Sequence, residues 1–231
     1  MYSNLQLDLA QLDYKKYTWI SQLSLLFTFH DGYLIRDTGE EIEIALNGVY
    51  NTQVRLLVRN HQFGDVDAIY AAIVHHKYDF LTEIIANIPG LRVLTIANLG
   101  AGIGIAAICL AKFFGNAVIR AFEPNKLAFE QLKKNLILNE PESDTIDAYW
   151  QYDDMMREVK DFDLLVCSPE AVNQFLLSGE GTNLVTIASI IVVESFLTVE
   201  EKNRFIECTS LLHFAHNFFG QTMICWKAER E

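Results

Sequence analysis

The sequence predicts an α/β fold in which helices cover both faces of a mostly parallel sheet. An apolar segment at 91–97 runs into three alternating glycines, Gly100, Gly102 and Gly104, and a helix-forming stretch follows at once. Segments typical of strands and of helices then alternate along the remainder of the chain. Short apolar strands separated by helices indicate burial on both faces, which is the pattern of a parallel sheet.

The N-terminal part of the chain follows a different pattern. From residue 23 to about residue 59, apolar and polar residues alternate, and turn-forming residues precede Gly32 and Gly39. Alternation interrupted by such turns predicts a β-meander. Residues 1–20 fit an arm or a short helix. We therefore divide the chain into a small N-terminal β-rich element, 1–60, and a second domain, 61–231.

The second domain begins with a helix at 65–86, where apolar residues recur at helical spacing, and Pro89-Gly90 ends this helix. Strands are predicted at 91–97, 117–122, 145–150, 162–167 and 187–193, helices at 104–114 and 125–138, and a closing hairpin at 211–219 and 222–227. Thr198 starts a further helix, with Glu201 as its capping-box partner three residues later. The hairpin would place one antiparallel strand in the sheet.

The composition favours a cytoplasmic protein with a sizeable core. Of the 231 residues, 51% are hydrophobic, and no uncharged stretch approaches the roughly 20 residues that span a bilayer. The net charge of −12 argues against a nucleic-acid or anionic-membrane partner, because both need a cationic face. The four cysteines lack metal-binding spacing, so we expect buried, reduced thiols at Cys109, Cys167, Cys208 and Cys225.

The glycine loop, residues 100–104, is the first candidate site. Glycine lets a ligand approach the main chain and adopts the positive φ of tight turns. The dinucleotide fingerprint needs a small residue where this chain has Ile105, so the loop favours an adenosyl ligand over NAD or FAD. Asn98 stands where such loops usually carry an acidic residue. A tight strand-to-helix turn without any ligand is the alternative.

Glu123 follows the next predicted strand, about 20 residues beyond the loop, which is the spacing of ribose recognition. A carboxylate there can accept hydrogen bonds from both ribose hydroxyls, and such charge-assisted bonds are about twice as strong as neutral ones. The alternative is an acid that interacts with the dipole of the following helix. The loop and the carboxylate together predict a nucleotide-type cofactor site.

The residues around Phe122-Glu123-Pro124-Asn125 resemble the segment after the glycine loop in class I S-adenosylmethionine-dependent methyltransferases, and more narrowly in the FkbM family. The resemblance implies a Rossmann-like methyltransferase sheet and S-adenosylmethionine as the cofactor. It also implies a set of residues that border the methionine part, the ribose and the rest of the crevice: Asn98, Gly100, Ala101, Gly102, Gly104, Glu123, Pro124 and Asn125.

Two later segments resemble further motifs of the same family. Asp153, Asp154 and Glu170 match its acidic positions, whereas Val166 and Ser168 replace a lysine and an aspartate. Transfer to an unactivated hydroxyl needs a base. The resemblance makes Glu170 the first candidate for that base or for orienting the acceptor, followed by Asp154 and Asp153. Solvated loop acids or helix caps are the alternative.

The resulting prediction is an S-adenosylmethionine-dependent methyltransferase that acts on oxygen of a small-molecule or saccharide-like hydroxyl. The departures at Asn98, Val166 and Ser168 leave a second hypothesis, a catalytically degenerate methyltransferase fold that serves as a binding or scaffold protein. Residues 167–170 are also distantly similar to the [DN]PP[YF] loop of amino-group methyltransferases. Ile105 disfavours a third hypothesis, an NAD-dependent oxidoreductase.

We predict a small-molecule acceptor as the partner, with no nucleic acid, no membrane and no metal. His75 and His76 are adjacent on the predicted helix and do not share a face, while His213 and His216 fall on opposite faces of a predicted strand. The N-terminal element is expected to serve the acceptor or a homo-oligomer, since the sheet domain alone would supply the cofactor crevice.

Overall fold

The computed structural model describes residues 33–37, 41–49, 52–59, 65, 68, 69, 72, 93, 95–139, 145–158, 161–173, 188–195, 197–219 and 221–227. The arm or helix at 1–20, the pair His75-His76 and the Pro89-Gly90 helix end lie outside these residues. Within the predicted helix at 65–86, the described Asp65 and Ile69 are helical.

A three-stranded antiparallel sheet confirms the predicted β-meander over the described residues. Its strands are β1 (Tyr33–Asp37), β2 (Glu41–Val49) and β3 (Thr52–Arg59), and β2 lies in the middle. Ile44 of β2 and Leu56 opposite it on β3 are fully buried, as the alternating pattern requires. On the other face, Glu43 forms an ion pair with Arg55.

A seven-stranded sheet follows, with the strand order β6-β5-β4-β7-β8-β10-β9. Its strands are β4 (Thr95–Leu99), β5 (Val118–Phe122), β6 (Ile146–Tyr149), β7 (Phe162–Cys167), β8 (Ala188–Val193), β9 (Phe214–Phe219) and β10 (Thr222–Lys227). The pairs from β6 to β8 are parallel, and β10 runs antiparallel to both β8 and β9. The predicted α/β class, with a mostly parallel sheet and a C-terminal antiparallel hairpin, is therefore confirmed.

The helices of the described residues are α1 (Ile105–Phe114), α2 (Lys126–Leu138), α3 (Tyr152–Glu158), α4 (Pro169–Ala171) and α5 (Val199–Leu211). Local capping explains where two of them begin. Asn125 caps α2 by accepting hydrogen bonds from the main-chain N–H groups of Leu127 and Ala128, at 3.0 and 3.1 Å. Thr198 and Glu201 form the predicted capping box of α5, with bonds of 3.1 and 3.2 Å.

The predicted start of the closing hairpin at residue 211 is wrong. Helix α5 continues through Leu211, and the N–H groups of Leu212 and His213 bond back to carbonyls of its last turn. His213 then adopts a φ of +61°, and β9 begins at Phe214. His213 therefore has no strand face. His216 contacts the Thr209 hydroxyl at 2.6 Å instead, and burial lowers its pKa.

Three amide side chains join α2 to the outer edge of β3. Gln131, Asn135 and Asn139 follow each other at a spacing of four residues, which places them on one side of the helix and its C-cap. We call this set the amide ladder. Asn135 exchanges bonds of 2.6 and 3.1 Å with the main chain of Leu57, and Asn139 does the same with Arg55 at 3.1 and 2.6 Å. The amides thus satisfy an edge that would otherwise lack partners.

The seven-stranded sheet separates two apolar clusters, one on each face. Ile96 of β4 lies in the cluster that includes α1 and the meander, while Ala97 and Leu99 lie in the cluster that includes Phe205 of α5. Cys109, Cys167 and Cys225 are buried as expected, but Cys208 is exposed because it lies on the outer side of α5. None of the helices in the described ranges has the length and apolarity needed to cross a membrane.

Candidate cofactor site

The candidate site lies at the carboxyl ends of β4, β5 and β7. The chain continues from β4 to β5 on one side of β4 and places β7 on the other side, so the order of strands reverses at this point. Such a switch point opens a crevice in which open α/β sheets bind ligands. A cavity of about 360 Å³ is found here, lined by Arg59, Gly100, Gly102, Glu123, Pro124, Asn125, Ala128, Ser168, Glu170 and Ala171.

The three loop glycines all have positive φ, but their surroundings differ. A Cβ at Gly100 would lie 2.1 Å from the Ser168 Oγ, and one at Gly104 would lie 2.5 Å from the Leu132 Cδ1. At Gly102, with a φ of +57°, a Cβ would meet nothing within 4 Å. Gly100 and Gly104 are therefore needed for close packing of the fold. Gly102 keeps space open on the wall of the cavity.

Glu123 lies at the floor of the cavity and is only 7% exposed. Its Oε2 accepts a hydrogen bond of 2.7 Å from the Gly102 N–H, and its Oε1 accepts one of 2.8 Å from the Asn125 N–H. Burial raises the pKa of Glu123, while these two bonds and the nearby positive Arg59 act against the rise and Glu170 adds to it. The loop and the predicted ribose carboxylate are thus held together by direct hydrogen bonds.

We expect the raised pKa of Glu123 to make cofactor affinity depend on pH. We expect the affinity for S-adenosylhomocysteine to fall as the pH is lowered, starting above the usual pKa of 4.5, because a protonated Glu123 loses the charge that strengthens its bonds to ribose. In the ligand-free protein the sign is reversed, since a raised pKa contributes stability at low pH that is lost as the pH rises. Calorimetric titrations between pH 5 and pH 8 would measure the affinity. The Glu123→Gln variant should bind weakly at every pH, and an equal slope in that variant would contradict this assignment.

Three predicted cofactor residues do not line the cavity: Asn98, Ala101 and Gly104. Asn98 is 2% exposed between Ala121 of β5 and Val166 of β7, and its Oδ1 has no hydrogen-bond partner within the described ranges. A buried acceptor without a partner is unfavourable in the ligand-free protein. Because Asn98 does not line the cavity, this oxygen is not exposed to a ligand bound there.

The candidate catalytic acids are separated by the fold. Glu170 is exposed and lines the cavity next to Ser168, whose Oγ caps α4 by accepting a bond from the Ala171 N–H. Asp153 and Asp154 lie in the first turn of α3, are exposed, and do not line the cavity. The structure therefore brings Glu170, but not the two aspartates, to the crevice with Glu123 and the glycine loop.

Arg59 is a cavity residue that the sequence did not reveal, and it corrects the expectation that the sheet domain alone supplies the crevice. It is the last residue of β3 and lines the cavity from the meander side. Asp65, which is 5% exposed, holds one edge of the guanidinium by accepting bonds from Nε and Nη2. The place of Arg59 in the cavity could not be predicted from the sequence. An alternating pattern indicates a strand, but it does not indicate which end of that strand lies near a loop some 40 residues later.

The geometry fits S-adenosylmethionine on two counts. The wall at Gly102 leaves open space, and the Glu123 carboxylate lines the same cavity. Across the described residues, no group of three His, Cys, Asp or Glu side chains is placed to hold a metal ion.

The comparisons with known proteins agree with this geometry. A family model described as the methyltransferase small domain matches residues 70–180. The chain resembles an S-adenosylmethionine-dependent methyltransferase from Agrobacterium tumefaciens, with a TM-score of 0.51 and 16% identity over 83% of this chain and 71% of that one. It also resembles an S-adenosylmethionine-dependent O-methyltransferase from Thermotoga maritima, with a TM-score of 0.50 and 11% identity over 85% of this chain and 86% of that one. At these identities the likeness shows the fold. No curated protein is detectably similar in sequence.

The matched segment, 70–180, includes the glycine loop, Glu123 and Glu170. It supports the broader resemblance to methyltransferases, whereas the narrower resemblance to the FkbM family is not supported. The matched segment is similar to the methyltransferase small domain, and the seven-stranded sheet has the Rossmann-like fold of class I S-adenosylmethionine-dependent methyltransferases.

Proposed function

We propose that this chain is an S-adenosylmethionine-dependent methyltransferase that acts on a hydroxyl group of a small molecule, and that Glu170 is its general base. One observation carries the proposal: Glu170 lies on the wall of the same cavity as Glu123 and the glycine loop. A carboxylate at that position faces the space where an acceptor must approach the cofactor. The net charge of −12 supports a small acceptor over a nucleic acid.

The cofactor, when bound, supplies a methyl group on a positively charged sulfur. Glu123 would accept hydrogen bonds from the ribose hydroxyls, and Pro124 and Asn125 would border the nucleoside. The main chain from Gly100 to Gly102 would follow the methionine part, because both of these glycines line the cavity.

On the acceptor side, Glu170 would take the proton of the hydroxyl group at a carboxylate oxygen. Its exposure supports this role, because an exposed carboxylate is open to an incoming molecule. Ser168 precedes the short helix that carries Glu170, and its side chain is committed to the Ala171 N–H. It would shape the acceptor side of the cavity without moving a proton.

The Glu170→Gln variant tests the base. We expect kcat to fall by a factor of about 10² to 10⁴, because this is the usual contribution of a positioned base, while the affinity for S-adenosylhomocysteine stays unchanged. Turnover would be measured as S-adenosylhomocysteine released across a panel of hydroxylated acceptors. Glu200→Gln, an exposed acid in the first turn of α5, serves as the control.

Two results would contradict the proposal in different ways. Full turnover in Glu170→Gln together with a loss in Asp153→Asn or Asp154→Asn would move the base to α3. Methylation of amines but not of hydroxyls across the panel would leave the cofactor site intact and overturn the acceptor class.

A further inference from the structure

Arg59 brings a positive charge into the cofactor crevice from outside the segment that the family model matches. It ends β3 of the meander, whereas the matched segment begins at residue 70. Its side chain is 27% exposed and lines the cavity with the glycine loop and Glu123. A residue at this position can therefore take part in ligand binding without belonging to the shared core of the fold.

The guanidinium is held in place by Asp65 along one edge only. The Asp65 Oδ2 accepts a bond of 2.9 Å from Nε and the Oδ1 accepts a bond from Nη2, while the Arg59 main-chain N–H also bonds to Oδ2 at 3.2 Å. A guanidinium has five N–H donors, so this pairing leaves three of them. No bond to another described residue uses Nη1. The second edge is therefore held in a fixed position, and no described residue bonds to it.

The guanidinium itself favours an anion at that second edge, because its charge is permanent. Glu123 accepts main-chain bonds from Gly102 and Asn125, and the positive charge of Arg59 acts against the rise in the pKa of Glu123. Asp65 and Glu123 both favour the charged form of Arg59. The Arg59 guanidinium is fixed in position and permanently charged. Its geometry is suited to a planar carboxylate, which a guanidinium can bind through two hydrogen bonds.

We propose that Arg59 binds the carboxylate of the methionine part of the cofactor, so that the meander completes the cofactor site. This rests on the proposed placement of S-adenosylmethionine along the glycine loop. A carboxylate on the acceptor molecule could bind to Arg59 in the same way. These two possible sources of the carboxylate are distinguished by comparing ligands with and without the amino-acid part of the cofactor.

Calorimetry with two ligands separates these sources. S-adenosylhomocysteine carries the carboxylate, whereas 5′-methylthioadenosine keeps the nucleoside and lacks the amino-acid part. We expect Arg59→Gln to weaken binding of S-adenosylhomocysteine about 10- to 100-fold, the range for losing charged hydrogen bonds, and to leave binding of 5′-methylthioadenosine unchanged. Arg55→Gln is the matched control, because Arg55 lies on the same strand and pairs with Glu43 in the same manner but does not line the cavity.

The Arg59→Gln variant leaves the buried Asp65 carboxylate without its partner, which can destabilise the fold. A second variant therefore separates a loss of stability from a loss of ligand binding. Arg59→Gln combined with Asp65→Asn removes that charge, and it should show the same selective loss with a melting temperature closer to that of the wild type. Equal weakening of both ligands would overturn the proposal, as would unchanged binding of both. If Arg59→Gln instead raises KM for an acidic acceptor alone, the anchor belongs to the acceptor and the inference about the cofactor is wrong. Failure of the wild type to bind either ligand would overturn the proposed cofactor placement itself.

Discussion

The Gly102→Ala variant should lose cofactor binding by more than 100-fold while remaining folded. An added Cβ at this position would meet no protein atom within 4 Å, so it disturbs no packing. It would instead project from the wall of the cavity, where the main chain must be approached closely by the methionine part of the ligand. Calorimetry with S-adenosylhomocysteine measures the loss, and circular dichroism checks the fold.

Backbone strain has to be separated from the effect of blocking the site. Alanine at a positive φ costs about 1 kcal/mol, which by itself lowers stability and not affinity. Gly115, at the end of α1, offers the control because it also has a positive φ, +60°, and open space at its Cβ, yet it does not line the cavity. Gly115→Ala should lose stability and keep full affinity. Equal affinity losses in both variants would show that strain, and not occupation of the site, causes the effect.

The Asn135→Ala variant should destabilise the protein by about 3 kcal/mol, the largest effect on stability that we expect from a polar residue here. Asn135 is fully buried, and its amide bonds to the Leu57 N–H at 2.6 Å, to the Leu57 carbonyl at 3.1 Å and to the Ile103 carbonyl at 2.8 Å. Alanine removes all three bonds and leaves buried main-chain groups short of partners. Each such group costs about 1 to 3 kcal/mol.

Urea unfolding followed by circular dichroism would measure this loss. Asn116→Ala is the matched control, because Asn116 is exposed and its main-chain N–H bond to Phe114 survives the substitution. We expect a change within about 0.5 kcal/mol there, as for most surface substitutions. A loss below 1 kcal/mol in Asn135→Ala would mean that the amide ladder is not what fixes the meander to α2.

Features fixed by neighbouring residues could be predicted from the sequence. The capping box of Thr198 and Glu201 depends on main-chain groups within three residues, so its pattern is visible in the chain. The same holds for β7, whose predicted bounds at 162–167 match the structure. The link between the glycine loop and Glu123 was predicted from spacing, and direct hydrogen bonds now support it.

Features fixed by distant contacts could not be predicted in this way. Asn139 meets Arg55 across 84 positions, and an asparagine on a helix carries no sign of which strand edge it will bond. Arg59 is missed for the same reason. The predicted start of the hairpin at residue 211 is wrong for a different reason. Leu211 and Leu212 are apolar but exposed, and apolar residues next to a strand favour an extension of that strand when their burial is unknown.

The Asn135 side chain connects the meander to the glycine loop. Its amide bonds both to β3 of the meander and to the Ile103 carbonyl inside the glycine loop. The position of the meander and the shape of the loop are therefore joined through one rigid side chain. Coupling between two sites is reciprocal. If the folded meander increases the affinity for a ligand, the bound ligand therefore stabilises the meander against local opening by the same free energy.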